Sequence, residues 1–480
     1  MRALKHLDAH CLPDTAMLLS AGGDARIAIE SGRNEYGCTV FPDPGLLEFG
    51  SSTASTISEA AFDAADALRG KLYADPDCER EFSRIRREFS ALCGIDDHAV
   101  LFAPSGTDIH MIASQLTAPQ LVVMAEASET GRGVPDALSG RHFSSRSAHS
   151  KRLVKGGPIA DGVLPELSSV EVRDEEGRPI DSGQIDAAFS EKIAAGLASG
   201  KKMLLVLTDV SKTGMIAPSI ACALRLKEQC GESLEVLVDA CQFRLARETL
   251  KAYLEKGFMV ALTGSKFLTG PTFSGALVIP GSIGLKRAGA ALSSYASSHE
   301  WPEGMRQELG SGDNFGLLLR WEAALSELRA FQSIPEIEVA RFLARFSEAV
   351  EARLEKDPRF VPIDVPEIDR SALHLAASWD GMQTIFPFRL KMKGEMLEMH
   401  EAKIVHDMLR LDLSALSSHE AAATRCSLGQ PVASGALRIC SSARLVVEGV
   451  KQGALVIDRA LAALDKVALV LDLVQLPKSR

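Results

Sequence analysis

At 480 residues the chain exceeds what one ordinary core serves, so more than one domain is expected. It is 46% hydrophobic and 24% charged, ordinary for a globular protein, and its formal net charge of −10 is the wrong sign for gripping nucleic-acid phosphates or an anionic membrane surface. The nine cysteines are scattered with no C-x-x-C pair, the N-terminus shows no apolar signal region, and no stretch of about 18 apolar residues occurs. A cytoplasmic location, with no membrane and no nucleic-acid partner, is the expectation.

Residues 1–55 are rich in Gly, Pro and Ser (Gly37, Pro42, Pro44, Gly45, Gly50) and are expected to cover a site rather than form a domain. Their polar stretches 34–38 and 50–53 are candidates for substrate contact. His6 and His10 have helical i, i+4 spacing but no third ligand, so an exposed pair is the expectation. Through 56–325, short apolar runs at 99–103, 121–125, 203–207, 234–238, 258–262 and 276–279 alternate with amphipathic patterns such as 218–230 and 249–256. Runs apolar on both faces suit a covered, mainly parallel sheet, and the alternation suits βαβ units. Functional loops then gather at the carboxyl ends of the strands. From 326 to 480 the patterns mix, with a strand at 385–392 and a helix near 401–411, as expected of a smaller α+β domain.

Three strand-end motifs carry chemistry. Pro104-Ser105-Gly106-Thr107 follows a strand and opens a helix, where free backbone N–H groups and a glycine suit a phosphate. An ordinary helix cap by Ser105 or Thr107 explains the same residues. Asp239, in Val238-Asp239-Ala240-Cys241-Gln242, is a carboxylate at the end of a buried strand, able to hold a protonated ring nitrogen. A capping Asp is the plainer alternative. Lys266, in Thr263-Gly264-Ser265-Lys266, is an amine flanked by hydroxyls and glycines that can enter a cleft and form an imine. Asp239 and Lys266 are 27 positions apart, each closing a strand, with one helical pattern between them. That spacing puts both over one edge of the sheet.

These motifs resemble the fold-type I pyridoxal 5'-phosphate (PLP) enzymes, specifically the class V aminotransferase and cysteine desulfurase group. Asp239-Ala240-Cys241-Gln242 is similar to the group's Asp-Gly-Ala-Gln, 209–218 (Asp-Val-Ser-Lys-Thr-Gly-Met-Ile-Ala-Pro) to its segment beneath the cofactor, and Gly270-Pro271-Thr272 to the Gly-Pro-Thr after its lysine. The resemblance implies a PLP-dependent transferase fold with a mainly parallel central sheet and a smaller C-terminal α+β domain. It implies a Schiff base on Lys266 and Asp239 at the ring nitrogen. It also implies Ser211 and Gln242 at the phenolic oxygen and Ser105, Gly106, Thr107, Thr263 and Ser265 around the phosphate. Glu308 to Asn314 resembles the stretch whose hydroxyl, here Ser311, reaches the phosphate of a neighbouring subunit, which implies a homodimer with shared sites. Leu437-Arg438-Ile439-Cys440-Ser441 resembles the strand whose arginine grips the substrate α-carboxylate in a bidentate fork.

Two departures bear on the reaction. Counting back from Pro431, the desulfurase nucleophile position is Leu428, and Cys426, two residues off with only Arg425 beside it, reads as a structural thiol. After the run ending at Ala125, Glu126 to Gly131 contains no ring to stack on the cofactor, leaving a side chain such as Thr130 to cover it. His110 reads as packing. The expected activity is an aminotransferase acting at the α-carbon of a small amino acid. The alternatives are a β-eliminating lyase or a desulfurase or selenocysteine lyase-like enzyme. A regulator or scaffold built on this fold is the non-enzymatic rival, disfavoured by the intact Lys266, Asp239 and Arg438. Neither G-x-S-x-G nor G-x-G-x-x-G occurs in a strand–turn–helix context, which sets aside a doubly wound hydrolase or dehydrogenase.

Overall fold

Strand-length apolar runs become one central sheet in the computed structural model, which describes residues 13–149, 151–281, 289–306 and 308–475. In chain order its strands are β1 (Ala99–Ala103), β2 (Leu121–Ala125), β3 (Glu166–Val170), β4 (Met203–Asp209), β5 (Leu234–Asp239), β6 (Met259–Thr263) and β7 (Gly275–Ile279). Their spatial order is β1-β7-β6-β5-β4-β2-β3. β2 to β6 and the edge strand β3 run parallel, and β7 is antiparallel to both its neighbours. A two-residue strand, Ile216–Ala217, adds an eighth member beside β4. The sequence reading missed β3. Its Glu-Leu-Ser-Ser-Val is polar because an edge strand is only half covered, and four of its five residues are at least partly exposed.

Successive residues of each strand point to opposite faces, so the sheet separates two apolar clusters. Val236 and Val238 of β5 join one, whereas Leu237 between them joins the other. Both faces are therefore dry, which is why these strands are apolar throughout. Helix α1 (Gly106–Thr117) leaves β1, and nine of its twelve residues are buried.

Helix α2 (Phe315–Gln332) is buried almost all round and acts as a strut. Its Trp321 Nε1 donates to the Gly275 carbonyl at 3.0 Å. Its buried Arg320 guanidinium donates to the carbonyls of Leu19, Ala21, Gly22 and Phe273, tying the N-terminal segment to the loop before β7. Further on, Phe360–Pro362, Ile385–Met392, Glu395–Met396 and Leu437–Cys440 form a four-stranded antiparallel sheet. Leu46–Phe49 of the N-terminal segment pairs in parallel with Arg425–Leu428, so this segment is sewn into the C-terminal part. Among the described residues no helix is long and apolar enough to cross a membrane. His6 and His10 lie outside the described residues.

Candidate active site

The site is built from strand ends. β5 and β6 are parallel neighbours with Asp239 beside Ala261, and Lys266 follows three residues after β6 closes at Thr263. Ala103 of β1 and Thr263 of β6 both pair with Gly275 of β7, so the loops carrying Ser105 to Thr107 and Gly264 to Lys266 face each other across a residue without a side chain. A Cβ on Gly275 would sit 2.9 Å from the Ala103 carbonyl oxygen, and one on Gly106 would sit 2.8 Å from Cys241 Sγ. Glycine at both points lets three backbones converge on one small cup. Ser105 caps α1, accepting from the Asp108 N–H. Gly106 and Thr107 are then the helix-start N–H groups that the helix cannot satisfy itself. Thr263 donates its hydroxyl to the Cys241 carbonyl at 2.6 Å, and Ser265 is buried beside it.

Asp239 is buried, yet burial, which alone would raise its pKa, is overcome by His110 and by the Cys241 N–H at 3.2 Å, and the carboxyl is held at about 2. His110 Nε2 lies 3.2 Å from Asp239 Oδ2, close enough for an ion pair although off-line for a hydrogen bond, while Nδ1 meets the Gly106 carbonyl at 2.7 Å. Burial pulls the imidazole pKa down, but Asp239 and that carbonyl more than compensate, so it stands above its ordinary value. The expectation that His110 merely packs is corrected: the first turns of α1 bring it against Asp239. Lys266 is pushed down to about 8 by burial and by the Arg438 charge. Its Nζ donates to the Ser52 carbonyl at 3.3 Å and meets no carboxylate partner among the described residues. It is a partly neutral amine at physiological pH, the form that attacks carbonyl carbon.

Ser52 links the two halves of the site. Its carbonyl also accepts from Gln242 Nε2 at 3.1 Å, and the adjacent Thr53 hydroxyl accepts from Arg438 Nη2 at 3.0 Å. Arg438 is buried and bonds besides to the carbonyls of Lys212 and Gln430, all neutral acceptors. Gln430 also lines an open cleft of about 310 Å³ between residues 33–37 and 403–411. The sequence reading did not foresee Lys212, whose Nζ donates to the Thr130 carbonyl at 2.9 Å and which burial and Arg438 push down to about 8. Nor did it foresee Arg244, two residues beyond Gln242, which donates to Thr384, Ser51 and the Ser441 carbonyl and so locks the site's three segments together.

The remaining candidates have surroundings of their own. Ser211 donates to Glu129 Oε2 at 2.5 Å, a buried carboxylate also held by Thr213 and Arg173. That network organises the stretch where a ring was missing, and it leaves the Thr130 hydroxyl buried with no partner among the described residues. Ser311 is exposed on the loop before α2. Cys426 is fully buried in its strand, and burial pushes its thiol up to about 12, as befits a structural residue.

No protein-family model matches the chain, and no curated protein matches it by sequence. Solved structures do. A NifS-like protein from Rickettsia africae is 12% identical with a TM-score of 0.53, covering 88% of this chain and 99% of its own. The cystine C-S lyase C-DES, in complex with its product cysteine persulfide, is 17% identical with a TM-score of 0.54, covering 86% and 97%. Mouse CSAD is 14% identical with a TM-score of 0.52, covering 88% and 83%. A C-DES variant with the same fold carries glycine covalently linked to its PLP cofactor. An eight-strand, mostly parallel sheet in which β7 and the two-residue strand Ile216–Ala217 run antiparallel, helices on both faces and a smaller antiparallel sheet beyond it give this chain the fold of the fold-type I PLP-dependent enzymes.

Proposed function

We propose that the chain is a PLP-dependent enzyme acting at the α-carbon of an amino acid. The observation that carries this reading is the pairing of a partly neutral Lys266 amine with an ionised, buried Asp239 at the ends of adjacent parallel strands. The cup fits the cofactor on independent grounds. Gln242 Oε1, Thr130 Oγ1 and Arg438 Nε are buried polar atoms with no partner among the described residues, and the glycines at 106 and 275 keep side chains out of the space between the loops. Bound PLP supplies an electron sink that makes an α-bond of the amino acid labile.

Each residue then has a task. The Lys266 amine holds the cofactor covalently and, once released, accepts or returns a proton at Nζ. Asp239, kept ionised by His110, holds a proton on the ring nitrogen. The Gly106 and Thr107 N–H groups with the hydroxyls of Ser105, Thr107 and Ser265 receive the phosphate, and Gln242 offers Nε2 to the phenolic oxygen. Arg438 takes the substrate carboxylate in a two-pronged, charge-assisted grip and fixes which α-bond stands ready. Ser52 and Thr53 order both cations from the N-terminal segment. A homodimer would bring Ser311 to a neighbour's phosphate.

Transamination is the first reaction proposed. β-Elimination is second, favoured over desulfuration because the buried Cys426 thiol is in no position to act as a mobile nucleophile. The test is reconstitution with PLP, a visible absorption spectrum beside that of Lys266→Ala, then a panel of amino acids. Keto acid without ammonia identifies transamination; keto acid with equal ammonia identifies elimination. A wild type that takes up no PLP sinks the reading.

A further inference from the structure

The N-terminal segment delivers a cation to the phosphate cup that no motif announced. Asp24 caps the short turn Ala25–Ile27, accepting from the Arg26 N–H at 2.9 Å, and its carboxylate pairs with Arg26 Nε and Nη2. Arg26 Nη1 donates to the Tyr36 hydroxyl at 3.0 Å. The guanidinium lies near two aromatic rings, 5.8 Å from the centre of Phe143 and 5.5 Å from that of Phe273. The backbone just before it is anchored, because Arg320 grips the carbonyls of Ala21 and Gly22 and Arg146 that of Asp24. Asp24 takes one N–H of Nη2 and leaves the other. It points at Ser105 Oγ at 3.3 Å and Thr107 Oγ1 at 3.5 Å, the two hydroxyls at the start of α1. Both contacts are long, near the limit for a hydrogen bond. An anion oxygen resting among these hydroxyls and the Gly106 and Thr107 N–H groups is the stronger partner for a guanidinium.

We propose that Arg26 is a cofactor-binding residue that grips the PLP phosphate, so that bound PLP ties the N-terminal segment 13–55 more firmly to the site. This rests on the proposed function and adds a phosphate ligand from outside the three strand-end motifs. Asp24 leaves the guanidinium only part of its charge to offer. Asp108, whose carboxyl accepts the Ser105 hydroxyl, accommodates an anion by protonation, since burial and Asp24 push it up to about 7.

The test compares PLP with pyridoxal, which forms the same bond to Lys266 but lacks the phosphate. Both are titrated into cofactor-free full-length protein and followed by visible absorbance. Arg26→Gln is expected to weaken PLP about tenfold to a hundredfold, the range for one charge-assisted hydrogen bond, and to leave pyridoxal unchanged. Equal effects on the two ligands, or none on either, overturn the proposal while the enzyme reading stands. A wild type that binds neither overturns both. Should Arg26→Gln fail to fold, the wild type still decides. PLP is expected to protect segment 13–55 from limited proteolysis and pyridoxal is not, and equal protection refutes the assignment.

Discussion

Replacing His110 by glutamine tests whether a buried ion pair forms the floor of the site. At the observed 3.2 Å, two unit charges attract by about 5 kcal/mol at an effective dielectric of about 20. Taking both from water cancels most of that. The remainder is visible in the acid: holding Asp239 at about 2 instead of 3.8 is worth roughly 2–3 kcal/mol, part of it from the Cys241 N–H. About 1–2 kcal/mol is therefore assigned to His110. Its folded pKa is raised above 6.5, so its contribution is fully present below that pH and is lost as pH rises through the folded value. Asp239 is depressed, so its contribution is present above 3.8 and is lost as pH falls through about 2. The pair is at full strength between about pH 4 and pH 6.5. Urea denaturation of wild type and His110→Gln across about pH 5 to 9.5 is the assay. The variant is expected to be less stable by about 1–2 kcal/mol at the acid end, with the gap narrowing as pH rises. A gap that is constant or that widens with pH refutes the ion pair.

Lys266→Ala is expected to abolish the visible band of the PLP-loaded protein with its fold retained by circular dichroism; a band that persists moves the covalent attachment to another lysine. Arg438→Ala is expected to raise KM for amino acids about tenfold to a hundredfold while PLP stays bound, and unchanged KM removes Arg438 from the site. Cys426→Ser is expected to leave turnover intact and to cost about 1–3 kcal/mol in urea, because a hydroxyl replaces an apolar thiol in a dry strand; lost sulfur release would restore a desulfurase nucleophile there. Arg320→Met is expected to cost about 2–4 kcal/mol and to speed proteolysis of segment 13–55, since the carbonyls it satisfies are left buried.

The sequence by itself determined the strand runs and the three strand-end motifs. The runs at 99–103 and 121–125 coincide with strands, and the other four differ from theirs by at most two residues. Apolar periodicity and glycine-bearing turns are local properties, readable without knowing what packs on them. Only the tertiary structure decided the electrostatics. It set His110 against Asp239, Ser52 under Lys266, Arg26 at Ser105 and Thr107, and Glu129 where a stacking ring was sought. It also sealed Cys426 inside a strand pair with the N-terminal segment. A side chain's charge state depends on burial and on which distant segment meets it, and those contacts arise from long-range packing that no local pattern encodes.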